Sequence, residues 1–198
     1  MNLENDKDTL RWMKTIHEVA VAKGWWQNAE ERQPGTIIFL MISELVEAFE
    51  EYRKPELDIK SIYYGQGDKP EGVPIELADA AIRILDYVCW LSLQCGGDMV
   101  ITDAIEDMGD MPTDNISQDF GSALMDSIQL FDSAFAELLY TTRTREKIRY
   151  RQGITELLMA LRLLNAICKF FAIDIDRAMQ IKHDFNKTRP YRHGNKRA

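Results

Sequence analysis

Six stretches of this chain repeat their apolar residues at helical spacing, and glycine, proline or polar breaks separate them. A 3.6-residue period punctuated in this way leaves little room for a sheet. In the first stretch, residues 8–23, Leu10, Met13, Ile16, His17 and Ala20 fall near one face, and Gly24 is a natural stop. The second runs from about Gly35 to Tyr52. Lys54-Pro55 ends it, because the residue before a proline disfavours helical backbone. The third opens near Pro74, which suits a first helical turn, and closes at Gly96-Gly97. Two more are expected at about 121–145 and 152–172, and a short one from Asp174 to about Asn186. The expected fold class is all-α: a helical bundle of two antiparallel hairpins plus N- and C-terminal helices, in one domain spanning 1–198.

Two connections stand out by length. Residues 54–74 are rich in Gly and Pro, and connections of about 20 residues in compact domains are mostly functional or mobile. Residues 96–120 are acidic and irregular, and are expected to be a linker. The two halves also resemble each other. Glu76-LADAAIRILDYVCW parallels Glu156-LLMALRLLNAICKF, and EAFEEY at 47–52 parallels SAFAELLY at 133–140. Residues 121–172 are then either a degenerate second hairpin or an ordinary pair of amphipathic helices. If they are a copy, it has lost its acids: Leu130 and Ser133 stand for Glu44 and Glu47, and Met159 for Asp79.

Charge narrows the partners. The formal net charge is −8, yet six Lys/Arg against one acid crowd into residues 182–198, so the body is strongly acidic. Such a body repels nucleic acid and argues against it as a partner. Cys89, Cys95 and Cys168 form no CxxC pair and lie in or beside apolar helical runs, where buried free thiols are expected. The opening MNLENDKD is too polar for a signal peptide, and the most apolar long run, 154–175, carries Glu156, Arg162 and Lys169. No membrane partner and a cytoplasmic address are the default expectations.

The chemistry sits in LMISELVEAFEEYR, residues 40–53. At 100° per residue, Glu47 and Glu51 lie within about 60° of Glu44, on a helix that is otherwise apolar nearly all round. Carboxylates on a buried helix cost several kcal/mol each, on the order of what a partner or a metal must return. Glu76 and Asp79 repeat the three-residue spacing on the third helix, with Arg83 and Asp86 continuing the stripe. That stripe lies beside the apolar face, so an Asp79–Arg83 surface pair is the plain alternative. With the two helices antiparallel, ExxE meets ExxD, and Glu44, Glu47, Glu76 and Asp79 converge as hard oxygen ligands suited to Mg²⁺ or Mn²⁺. A di-iron site is disfavoured, since no histidine follows a glutamate at ExxH spacing.

Ser43-Glu44-Leu-Val-Glu47, a 28-residue spacer, then Glu76-Leu-Ala-Asp79 resembles the MazG family of all-α nucleoside triphosphate pyrophosphohydrolases, related to dimeric dUTPases and dCTP pyrophosphatases. Gly24-Trp25-Trp26, PEGVPIELADAAIRILDYV and IKHDFNKTRPYRHGNKRA strengthen the likeness, which covers most of 10–95 and 174–198. Residues 97–150 do not share it, and Ser43 replaces the first Glu of the family's EExxE. The resemblance implies an enzyme that cleaves a (d)NTP to (d)NMP and pyrophosphate, with Glu44, Glu47, Glu76 and Asp79 as metal ligands and catalytic acids. It also implies phosphate contacts from Lys182, Asn186 and Arg189 on the last helix, and a base wall from His17 and Trp26. Both of the latter read equally as core residues. A homodimer or higher homo-oligomer goes with the family. The alternative is a non-enzymatic helical bundle that binds nucleotides or a partner protein.

Overall fold

The computed structural model describes residues 6–28, 33–108, 115–144 and 147–191. The helical period read from the sequence is realised as seven helices among these residues. They are α1 (Asp6–Ala22), α2 (Pro34–Tyr52), α3 (Val73–Cys95), α4 (Asp98–Met108), α5 (Phe120–Thr144), α6 (Lys147–Phe170) and α7 (Ile175–Thr188). The fold is an all-α bundle, and no helix among the described residues is long and apolar enough to cross a membrane. The basic tail from Arg192 onward lies outside the described residues.

One expectation about the connections is corrected. The acidic segment taken as a linker contains α4, whose Ile101 and Ala104 are buried and which packs on α6. Its apolar residues three apart hold a short helix despite the flanking acids. The long connection between α2 and α3 is ordered by a two-residue hairpin, β1 (Tyr63–Tyr64) against β2 (Pro70–Glu71). The Tyr63 hydroxyl donates to Glu51 Oε2 at 2.8 Å and accepts from Lys54 Nζ at 2.8 Å, which ties the connection to the end of α2. Glu51 is thereby used structurally and leaves the acid line.

Helix α3 is the axis of the molecule. It touches α1, α2, α6 and α7, and 18 of its 23 residues are buried. Its acid stripe is therefore inside the protein, not beside the apolar face as the sequence suggested. A helix with Ile75, Leu77, Leu85 and Val88 on several sides has no exposed face to give. Helices α5 and α6 form the second hairpin, and it packs on the first through α2·α5 and α3·α6 contacts. Phe120, Phe131, Leu138, Leu157 and Leu161 fill the joint core. All three cysteines are free and buried.

The start of α3 depends on one glycine. Gly72 caps the helix at φ +113°, a backbone state that side chains rarely adopt, and a Cβ there would stand 2.3 Å from the Ser61 carbonyl oxygen. Gly72→Ala is expected to cost on the order of 2 kcal/mol or more. Its urea midpoint should fall clearly below wild type; an unchanged midpoint would show that the turn relaxes freely.

Candidate metal centre

Antiparallel packing of α2 on α3 sets Glu47 against Glu76 and Glu44 against Arg83. Glu44, Glu47 and Glu76 each bring a carboxylate oxygen within 4.8 Å of the others. Glu44 and Glu76 are buried and Glu47 is exposed, so the trio opens to solvent on one side. Asp79 stands outside the trio. Its Oδ2 lies 3.1 Å from Lys182 Nζ, which is also 3.9 Å from Glu76 Oε2. Lys182 is 1% exposed, so this is a buried ion pair and not a solvated lysine.

Arg83 corrects a further expectation. It reaches across the helix interface to Glu44, with Nε at 2.9 Å and Nη2 at 2.8 Å from the same Oε1, instead of pairing along α3 with Asp79 as a surface contact. Two helices packed this closely put Glu44 nearer to the guanidinium fork, and burial strengthens that pair.

The electrostatics show how hard the carboxylates are pressed. Burial, reinforced by Asp79, pushes the Glu44 carboxyl up to about 8, with Arg83 pulling the other way. Burial also raises Glu76, partly offset by Lys182. Burial alone would raise Asp79, yet Lys182, Arg83 and Arg189 outweigh it and hold that carboxyl below its usual value. The trio offers only carboxylate oxygens, and neither His17 nor His183 joins it. Such a donor set fits a hard divalent cation, Mg²⁺ or Mn²⁺.

A pH dependence follows from the two raised carboxyls. Between the unfolded value near 4.3 and about 8 for Glu44, the folded protein keeps protons that the unfolded chain has released. Stability in that window falls as pH rises, by up to about 1.4 kcal/mol per unit for one such group. Asp79 acts only below the window and Lys182 only above it, while His183, lowered by burial, opposes the fall only below its ordinary value near 6.5. EDTA-treated protein should melt lower at pH 8 than at pH 5.5, and Mg²⁺ should restore the loss at pH 8. A flat profile would contradict the buried cluster.

Beside Asp79 and Arg83 lies a cavity of about 100 Å³, walled by α1, the turn after it, α2, α3 and α7. Trp26 lines it and is nearly parallel to Trp90, with ring centroids 5.1 Å apart. Sequence reasoning overlooked Asp86, which organises this wall. Its Oδ1 accepts from Trp26 Nε1 at 2.8 Å and lies 2.7 Å from His17 Nδ1. His17 reaches the cavity through Asp86 and is not on its wall. The only signal for Asp86 was its place three residues past Arg83 on the acid stripe.

The three residues of the last helix part company. Lys182 joins Asp79 and Glu76, Asn186 lines the cavity, and Arg189 stacks over the Phe185 ring at 5.9 Å while its carbonyl accepts from Lys23 Nζ. Asp174 starts that helix by accepting from the Arg177 backbone N–H at 3.0 Å. Among the described residues, the second hairpin gathers no comparable acid group where Leu130, Ser133 and Met159 stand. Neither a family model, a curated protein nor a solved structure matches this chain.

Proposed function

We propose that the protein is a MazG-like, Mg²⁺-dependent nucleoside triphosphate pyrophosphohydrolase, converting a (d)NTP to the monophosphate and pyrophosphate. The observation that carries this is the convergence of Glu44, Glu47 and Glu76, together with Arg83, which holds Glu44 and lines an aromatic-walled cavity with Asp79. A triphosphate is strongly anionic and would be repelled by bare carboxylates. Mg²⁺ (or Mn²⁺), when bound, supplies the charge that offsets this repulsion and activates a water for attack. Glu44, Glu47 and Glu76 would hold it from α2 and α3, with Asp79 completing the set once Lys182 turns toward phosphate. Lys182 and Arg189 would receive the leaving pyrophosphate, Lys as a point charge and Arg as a fork. Trp26, fixed by Asp86 and by Trp90, would face the base. We place the activity in the cytoplasmic nucleotide pool and the chain in a homodimer or higher homo-oligomer. The exposed Phe39 and Val46 on the outer face of α2 support such contact.

One observation favours a second role. Arg83 on Glu44 and Lys182 on Asp79 already neutralise much of the acid charge, as a non-enzymatic bundle that binds nucleotides or a partner would require. A panel of NTPs and dNTPs with Mg²⁺ separates the two. Monophosphate and pyrophosphate in equal amounts are the expected products. Silence across the panel from folded, metal-loaded protein would leave the binding module.

A further inference from the structure

Helices α2 and α5 run antiparallel, with Gly35 against Phe135 at one end and Phe49 against Gly121 at the other. Between them lies an open groove of about 590 Å³, lined by Leu45, Val46 and Phe49 of α2 and by Leu124, Met125 and Ile128 of α5. Leu45 and Leu124 are buried and form its floor. Val46 and Met125 are each more than half exposed on its two banks. A run of large apolar side chains left in water marks a surface that a partner covers.

The charge of the groove decides which partner. Asp119 and Asp126 also line it, and neither is paired with a cation among the described residues. Helix α2 holds four acids and no Lys or Arg, and α5 holds no Lys or Arg before Arg143. The first cation after α2, Arg53, is paired with Glu50. A second copy laid face to face would set these acids against their own. The chain's own segment 109–114, GDMPTD, would bring two more acids. Nucleic acid and anionic lipid are repelled for the same reason, whereas a cationic partner is attracted. The seam also selects the partner's backbone. An extended peptide would find no donors or acceptors there, since both helices use their own, but a third helix satisfies itself.

We propose that this groove docks a basic amphipathic helix of another protein. Apolar residues of that helix, spaced i, i+3 or i+4 and i+7, cover Val46, Phe49 and Met125, while Lys or Arg on its flanks face Asp119 and Asp126. The groove's lining includes none of Glu44, Glu47 and Glu76, so docking does not depend on the activity proposed above. An oligomer contact through α2 keeps Phe39, which lies about two turns before Val46 and outside the groove.

The test is fluorescence anisotropy of the full chain with a labelled Leu/Lys peptide, patterned as an amphipathic helix about four turns long. A scrambled peptide of the same composition and a Leu/Glu peptide of the same pattern are the controls. The patterned Leu/Lys peptide should bind saturably and at least about tenfold tighter than either control. Val46→Lys and Met125→Lys should each weaken it by about tenfold or more. Asp119→Asn combined with Asp126→Asn should weaken it and flatten its salt dependence. Asparagine keeps the cap that Asp119 makes on the Ser122 N–H. Glu18→Gln, at an exposed acid of α1, should leave binding as it was. No saturable binding, equal binding of the scrambled peptide, or binding that Met125→Lys leaves intact would overturn the proposal, the last two as plain charge attraction. Self-association in sedimentation equilibrium that Val46→Lys and Met125→Lys both abolish would overturn it as well, because the groove would then belong to a second copy. Should Val46→Lys fail to fold, Met125→Lys alone decides.

Discussion

Glu44→Gln is expected to remove triphosphate hydrolysis almost entirely, by on the order of a thousandfold in kcat/KM, while leaving the helical circular dichroism unchanged. Glu44 is 4% exposed, accepts the Arg83 fork, and lies within 4.8 Å of Glu47 and Glu76 oxygens. The amide keeps the side chain's shape and one acceptor but gives up the charge that a divalent cation needs. A metal ion polarising a phosphoryl oxygen contributes several kcal/mol to the transition state, and about 4 kcal/mol is a thousandfold. The metal-free fold should tolerate the change, since burial already favours the uncharged carboxyl at this position. Near-normal turnover in this variant would remove Glu44 from the metal centre.

The second large effect is on stability. Lys182→Met takes the only cation within 4 Å of Asp79 among the described residues. Asp79 then keeps only the more remote Arg83 and Arg189 as counter-charges, and Glu76 keeps Lys69. Breaking one side of a buried ion pair typically costs about 3–5 kcal/mol, which for a chain of this size lowers the melting temperature by roughly 10 °C. Mg²⁺ should recover much of that loss in the variant and less in wild type, because the cation replaces the missing ammonium. A melting temperature unchanged without metal would mean that Asp79 is solvated in solution. A loss that Mg²⁺ does not recover would mean that the pair is purely architectural.

The helices were legible because each carries apolar residues at 3.6-residue spacing between glycine and proline stops. Pro74 at the start of α3 and Gly96-Gly97 at its end mark their boundaries in the structure as in the sequence. Helix α4 was hidden by its acids, which outweighed Ile101 and Ala104 in a short run. The acid stripe of α2 was legible because charge inside an apolar pattern is costly and must be used. Its partners were not, because they come from far along the chain. Arg83 lies 39 residues from Glu44, and His17 lies 69 from Asp86. Spacing along one helix cannot say whether Arg83 turns to Asp79 beside it or to Glu44 across the interface. Only the packing of α2 on α3 decides that. The same limit hid the burial of Lys182 and its pairing with Asp79, where the resemblance implied a phosphate contact.

The central claim is that Glu44, Glu47 and Glu76 gather a divalent cation. Anomalous diffraction from crystals grown with Mn²⁺ tests it most directly. We expect a manganese peak within bonding distance of carboxylate oxygens from all three residues, with Lys182 turned away from Asp79. A map with no peak there, at Mn²⁺ levels that saturate the protein in solution, would contradict the metal centre and the chemistry built on it.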